Sequence, residues 1–275
     1  FAKTPRYQGA GSSAVNCTKV DSLLDLIGET SLDLVGYEPG FERHGGENAS
    51  KRAAALDLAR HADVILLCLG LDEIAESEGA ERLTMRLNEN QVELAHAVAE
   101  VNPNVVVLLS AGSCVETDWV QDARAVLYCA LGGQAGAGGA LDVVTGAVCP
   151  SGKLAETWPV RLEDVPSSAN FPSEDKSAEY REGLYVGYRY FDTAKVPVAF
   201  PFGFGLSYTS FAYSDLKATA DAASFTVTNT GAVAGAEVAQ LYVAKPDHEV
   251  FRPEQELRGF AKVELAPGES KVVTI

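Results

Sequence analysis

The stretch "NENQVELAHAVAEVNPNVVVLLSAG", residues 88–112, holds two patterns back to back. In its first half Val92, Leu94, Ala95, Val98 and Val101 recur at helical spacing behind Asn88, a residue type suited to capping. After "NPN" the period vanishes. "VVVLL" is a continuous apolar run of strand length, as expected for a strand covered on both faces. Working outward, "DVILLCLG" (63–70) is a second such run upstream. Downstream come "WVQDA" (119–123) as a short helix, "AVLYCAL" (125–131) as a strand and "GGALDVVTGAV" (138–148) as a helix ending at glycine. Strand and helix alternating at this pitch predict a mainly parallel sheet with helices on both faces. Further upstream "VDSLLDLIGE" (20–29) and "ASKRAAALDLARHA" (49–62) read as helices, and "SLDLVGY" (31–37) reads as a strand.

The pattern changes after Pro159. Residues 160–207 carry prolines and aromatics with little periodicity, and their length argues for a packed connection. From 208 the period is two, with "NTG" and "PGES" as turns, which predicts a small antiparallel sandwich that looks truncated inside its last strand. The expected division is an α/β domain over 1–207 and an incomplete all-β domain over 208–275.

Composition narrows the partners. A formal charge of −16, from 22 basic and 38 acidic residues, repels phosphate backbones and anionic lipid surfaces, so neither nucleic acid nor membrane is an expected partner. Five scattered cysteines without CxxC spacing and no visible signal peptide predict a reduced, cytoplasmic chain. His44, His61, His96 and His248 lie apart, so no metal site is expected. The glycine run "GGQAGAGG" (132–139) misses the dinucleotide pattern because Leu141 stands where the third glycine belongs, and no cofactor is expected.

In sheets of this kind ligands bind at the carboxyl ends of strands. "ESEGAER" (76–82) follows the 63–70 strand there. One reading is a solvated acidic loop. The other is a proton donor with its support: Glu76, Glu78 and Glu81 repel one another, which should raise at least one carboxyl pKa, while Arg82 pairs with a neighbour and Gly79 turns the backbone to present Glu78. "SCVETDW" (113–119) has no histidine near in sequence to activate Ser113 or Cys114.

"PRYQGAGSS" (5–13), "ESEGAER", "LNENQVEL" (87–94), "PSGKLAETWP" (150–159), "YVGYRYFD" (185–192), "FPFGFGLSYTSF" (200–211) and "ELRGFAKVELAPGES" (256–270) occur in that order. Together they resemble the carboxyl-terminal part of glycoside hydrolase family 3, the β-glucosidase type, over almost the whole chain. The resemblance implies an α/β sandwich domain followed by a fibronectin type III-like domain. It implies a retaining glycosidase whose aspartate nucleophile lies on a (β/α)8 barrel absent from this chain. The general acid/base maps to Glu78, with Glu76 as runner-up; Arg82 and Glu81 support the loop. Ser12, Ser13, Arg6 and Gln8 border the leaving-group subsite. Glu81 replaces the family's usual aspartate and Asn88 its usual proline. In the family an apolar strand ends just before "FAKTPRYQ". The implied partners are a carbohydrate substrate and the barrel of the same polypeptide. The chain alone is expected to be inactive and to self-associate through the exposed barrel-docking face. The competing class is a non-catalytic carbohydrate-binding or adhesion module. That class has no need of clustered carboxylates and would show exposed aromatics, whereas Trp119 and Trp158 read as packing.

Overall fold

A computed structural model describes residues 1–173, 176–247 and 249–275; His248, and Glu174 and Asp175 of the 160–207 connection, lie outside the described residues. The chain divides into two compact units, Phe1–Ala147 and Val148–Ile275. The segment 148–207 therefore lies in the second unit.

The first unit is built on three parallel strands, β1 (Ile65–Gly70), β2 (Val105–Ser110) and β3 (Ala125–Tyr128), in that spatial order. The register pairs Leu67 with Val107 and Leu69 with Leu109. Leu69 and Leu109 are wholly buried, as the continuous apolar runs require. Four helices accompany the sheet: α1 (Leu23–Leu26), α2 (Ala49–Ala59), α3 (Glu89–Val101) and α4 (Gly136–Thr145). α2 packs with α3, and α1 with α4. α3 buries Val92, Leu94, Ala95 and Val98, the face read from the sequence. Asn88 stands at its N-cap, but the side chain makes no capping bond; the carbonyl alone receives the Gln91 and Val92 amides. α4 ends at Gly146, whose φ of 77° is the left-handed conformation that glycine permits.

One element departs from expectation. Residues 31–37 form no strand; Leu34 and Val35 are half exposed. A cavity of about 650 Å³ is lined by this segment and by Val64, Ile65 and Leu66 of the free β1 edge. An alternating sequence becomes a strand only where a neighbour takes its backbone bonds, and here the cavity occupies the neighbour's place.

The second unit begins with a two-stranded ribbon of β4 (Trp158–Pro159) and β5 (Val198–Phe200), with α5 (Tyr188–Ala194) between them in sequence. Its all-β part has β6 (Phe211–Ala218), β7 (Ala223–Asn229) and β10 (Ser270–Thr274) in one antiparallel sheet, and β8 (Gly235–Val243) with β9 (Glu256–Leu265) in the other. β7 alternates as a half-buried strand should: Phe225 and Val227 join Ala239, Leu265 and Val273 in the core. Within "FPFGFGLSY", expected to be buried, Phe200 packs edge-on against Trp158 and Phe202 stacks on Tyr188. Phe204, Leu206 and Tyr208 are exposed at 37%, 75% and 50%. Its main chain is anchored instead: the Leu154 amide donates to the Phe204 carbonyl at 2.8 Å.

Candidate active-site loop

The loop that follows β1 is fixed from its first residue. Gln91 of α3, wholly buried, donates to the Gly70 carbonyl and accepts the Gly70 amide, both at 2.9 Å. Leu71 then donates its amide to the Ser110 carbonyl at the end of β2. Asp72, 2% exposed, accepts the Ile74 and Ala75 amides on one oxygen and lies 3.0 Å from His44 Nδ1 with the other. A buried carboxylate that holds two amides of its own loop on one oxygen and meets His44 of another segment with the other is an anchor.

Next to it, Arg43 forms a fork on Glu73 at 3.0 and 2.5 Å and lies over the Phe1 ring. These bonds hold the Glu73 carboxyl down at about 2, against an ordinary value of 4.5. The folded value is the lower one, so the pair stabilises the unit above the ordinary value and that stability is lost as pH falls through about 2. Glu73 is 42% exposed, so solvent screening keeps the effect below about 1 kcal/mol. Arg43→Gln is expected to destabilise slightly at neutral pH and to flatten the acid limb of the stability curve. Superimposable acid limbs in urea titrations of the two proteins would refute this.

Glu76 and Glu78 then part company. Glu76 points at the loop after β2: it accepts the Gly112 amide at 2.9 Å and the Ser113 hydroxyl at 2.7 Å. Arg82 donates to the same Ser113 oxygen at 2.7 Å and approaches the Glu76 carboxylate to 4.0 Å. Glu76 is 14% exposed and acts as a strut between two strand ends. Glu78 is exposed. Its amide donates to the Ala10 carbonyl, and its carboxylate accepts the Ser12 amide at 2.5 Å. A Cβ at Gly11, whose φ is 125°, would collide with the Glu78 side chain. Gly79 has a φ of 78° and turns the chain directly after Glu78.

The expectation of a raised carboxyl in this cluster is corrected for Glu78. Hydrogen bonding by Ser12, its side chain first and its amide second, lowers the Glu78 pKa below the ordinary value. The repulsion argument fails here because Glu76 is turned away into its own set of donors.

The other candidates fall into two groups. Ser12 meets Glu78 through its side chain and its main-chain amide, and Ser13 is exposed. Arg6, expected beside substrate, is 4% exposed; it donates to the carbonyls of Gln8 and Glu76 and so ties the 5–13 loop to the acidic loop. Gln8 closes its own loop, accepting the Val15 amide at 2.8 Å and donating to the Val15 carbonyl at 3.3 Å. Glu81 is exposed. Sequence reasoning missed Arg43, His44, Asp72 and the structural use of Ser113. Asp72 and Ser113 had one signal, their positions just past a strand's carboxyl end; Arg43 and His44 had none.

Comparison with known proteins gives a consistent set of likenesses. The glycosyl hydrolase family 3 C-terminal domain matches residues 1–208, and a fibronectin type III-like domain matches residues 237–275. Thermostable beta-glucosidase B of Acetivibrio thermocellus is 47% identical over all of this chain and 38% of its own length. An exo-alpha-(1->6)-L-arabinopyranosidase of Bifidobacterium breve is 44% identical over all of this chain and 37% of its own. The crystal structure of a GH3 beta-glucosidase from Bifidobacterium adolescentis superposes with a TM-score of 0.95 at 45% identity, covering all of this chain and 41% of that one. The chain thus spans about two fifths of the length of the relatives it matches.

Proposed function

Because this chain belongs to glycosyl hydrolase family 3, we propose that it carries the general acid/base of a retaining β-glycosidase that removes terminal β-linked sugars. Glu78 is that acid/base, and the nucleophile comes from a (β/α)8 barrel outside these residues. The single observation behind the choice of Glu78 is the division of labour in the loop. Glu76 is held by Gly112, Ser113 and Arg82, whereas Glu78 is exposed and its carboxylate meets Ser12 of the facing turn. A proton donor has to reach a glycosidic oxygen.

The carboxyl of Glu78 is held below its ordinary value in this chain, so at neutral pH it is a carboxylate. To donate a proton it needs the desolvated surroundings of a covered site. The acidic loop, the 5–13 loop and the residues just beyond them carry exposed apolar side chains: Val15, Ile74 and Leu83 are 64%, 68% and 78% exposed. Exposed large apolar side chains on such loops suit a face that another domain closes.

Retaining hydrolysis uses two carboxyl groups roughly 5–5.5 Å apart on opposite sides of the bond. Both loop glutamates come from one side, so the chain alone is expected to be inactive. The test is hydrolysis of aryl β-glucosides by the purified chain, alone and mixed with a separately produced barrel. Turnover that needs both pieces supports the proposal. Turnover by the chain alone, lost on Glu78→Gln, would overturn it. The non-catalytic sugar-binding alternative predicts no turnover in either case.

A further inference from the structure

A cavity of about 370 Å³ lies in the second unit, and none of its lining residues belongs to the acidic loop or the 5–13 loop. Helix α5 contributes Tyr188 and Asp192, one turn apart and on one face. Phe202 comes from the turn after β5, Tyr213 from β6, and Glu237 and Tyr242 from β8. The rings form a corner: Phe202 stacks on Tyr188 with centroids 5.0 Å apart, and Tyr242 meets Tyr188 edge-on at 5.8 Å and 83°.

The charged part of the lining is one-sided, beside the neutral amides of Gln240 and Gln255 and three tyrosine hydroxyls. It has two carboxylates and no lysine, arginine or histidine. Glu237 is 13% exposed; Lys153, which does not line the cavity, reaches its Oε2 at 3.3 Å. The Tyr213 hydroxyl lies 3.4 Å from Oε1, too far for a strong bond, so that oxygen keeps accepting capacity. Asp192 receives the Gln255 amide on Oδ2 at 2.9 Å, and a carboxylate has further lone-pair sites. Burial first, and the Glu237 charge second, push the Tyr213 hydroxyl up to about 12, so it stays neutral and adds no charge of its own.

We propose that this cavity binds a guanidinium group. Surplus acceptors, net negative charge and an aromatic corner call for a ligand that is cationic, donates hydrogen bonds and stacks. Guanidinium is planar, always charged and weakly hydrated, and offers five donors. A phosphate or carboxylate ligand meets repulsion. A neutral sugar hydrogen-bonds to this lining but leaves the negative charge of the two carboxylates uncompensated. The source is either a small free guanidine or an arginine side chain of another protein.

The test is an NMR titration of the chain with Nα-acetylarginine amide, following the ring resonances of Tyr188, Tyr213 and Tyr242. Nα-acetylcitrulline amide, its neutral isostere, the corresponding lysine amide and glucose serve as comparators. Saturable shifts are expected with the arginine compound. Binding of the lysine compound should be about tenfold weaker, and citrulline and glucose should give no saturation. Asp192→Asn and Glu237→Gln should each weaken binding by about tenfold, the size of one charge-assisted hydrogen bond. Saturation by the free amide supports a small guanidine; saturation only by an arginine-containing peptide supports a protein side chain. Equal binding of citrulline, lysine or glucose, or no saturable shift with amide or peptide, overturns the proposal. Glu237 also pairs with Lys153, so its variant could fail to fold; the citrulline comparison uses the unsubstituted chain and decides the matter without it.

Discussion

Glu78→Gln, in a protein that joins this chain to the barrel proposed to carry the nucleophile, is expected to slow turnover of substrates with poor leaving groups by about a hundredfold or more, the usual worth of a placed proton donor. Aryl glycosides with good leaving groups need little protonation to depart, so their first step should survive. The glycosyl-enzyme should then accumulate, because the same residue must activate water in the second step. Azide needs no general base, so it should restore turnover and give a product of retained configuration. Glu76→Gln should behave differently. It weakens the strut to Gly112 and Ser113 and leaves Arg82 without the carboxylate 4.0 Å away. Its effect should be alike for good and poor leaving groups and should come with lower stability. If Glu76→Gln shows the leaving-group dependence and azide rescue while Glu78→Gln does not, the acid/base is two residues from where it is assigned.

The two outcomes differ because the loop is two devices in seven residues. Three contacts that are distant in sequence separate them. Arg6 bonds the Glu76 carbonyl from 70 residues away, the Glu78 amide meets Ala10, and the Ser113 hydroxyl lies 37 residues from Glu76. Each leaves Glu78 directed toward the 9–13 turn and Glu76 toward the sheet.

Those contacts mark where the sequence is legible and where it is not. β1 and β2 are readable because burial on both faces writes itself as an unbroken apolar run, and α3 because one buried face repeats every turn. β7 is readable from Ala223, Phe225 and Val227 alternating with serine and threonine. The segment 31–37 misleads because its pattern reports a side-chain preference, while strand formation depends on a neighbour's backbone. The Glu78 pKa misleads for a related reason. Closeness in sequence suggests three mutually repelling carboxylates, yet the charge that matters is set by Ser12, 66 residues away. The position of Asp72 past β1 is legible but its role and its partner His44 are not, since a buried anchor and a solvated acid look identical in one dimension.

Gln91→Leu should show how far the site depends on that hidden layer. Gln91 lies within the apolar face of α3, yet it is a polar residue with no exposure. Its amide pairs with both main-chain groups of Gly70, as an adjacent strand would, at the edge of β1 where no strand stands. Leucine keeps the bulk and removes both partners. A buried amide and a buried carbonyl are then orphaned, at about 1–3 kcal/mol each, and an overall loss of about 2–4 kcal/mol is expected in urea unfolding. The damage should run on into the acidic loop, because Gly70 is two residues from Asp72. Hydrogen exchange at the Ile74, Ala75 and Glu76 amides should speed up more than exchange in β2. Gln91→Glu separates lost bonds from lost shape. A protonated glutamate can donate to the Gly70 carbonyl and accept from its amide, whereas a carboxylate can only accept. Burial raises the folded pKa of the new carboxyl above its unfolded value, so its stabilising contribution is present in acid and lost as pH rises through the folded value. Gln91→Glu should therefore approach the parent chain at low pH and Gln91→Leu at neutral pH. A loss of only about 0.5 kcal/mol for Gln91→Leu, the size of an ordinary surface change, together with unchanged exchange in the loop, would mean that the sheet edge holds the loop without Gln91.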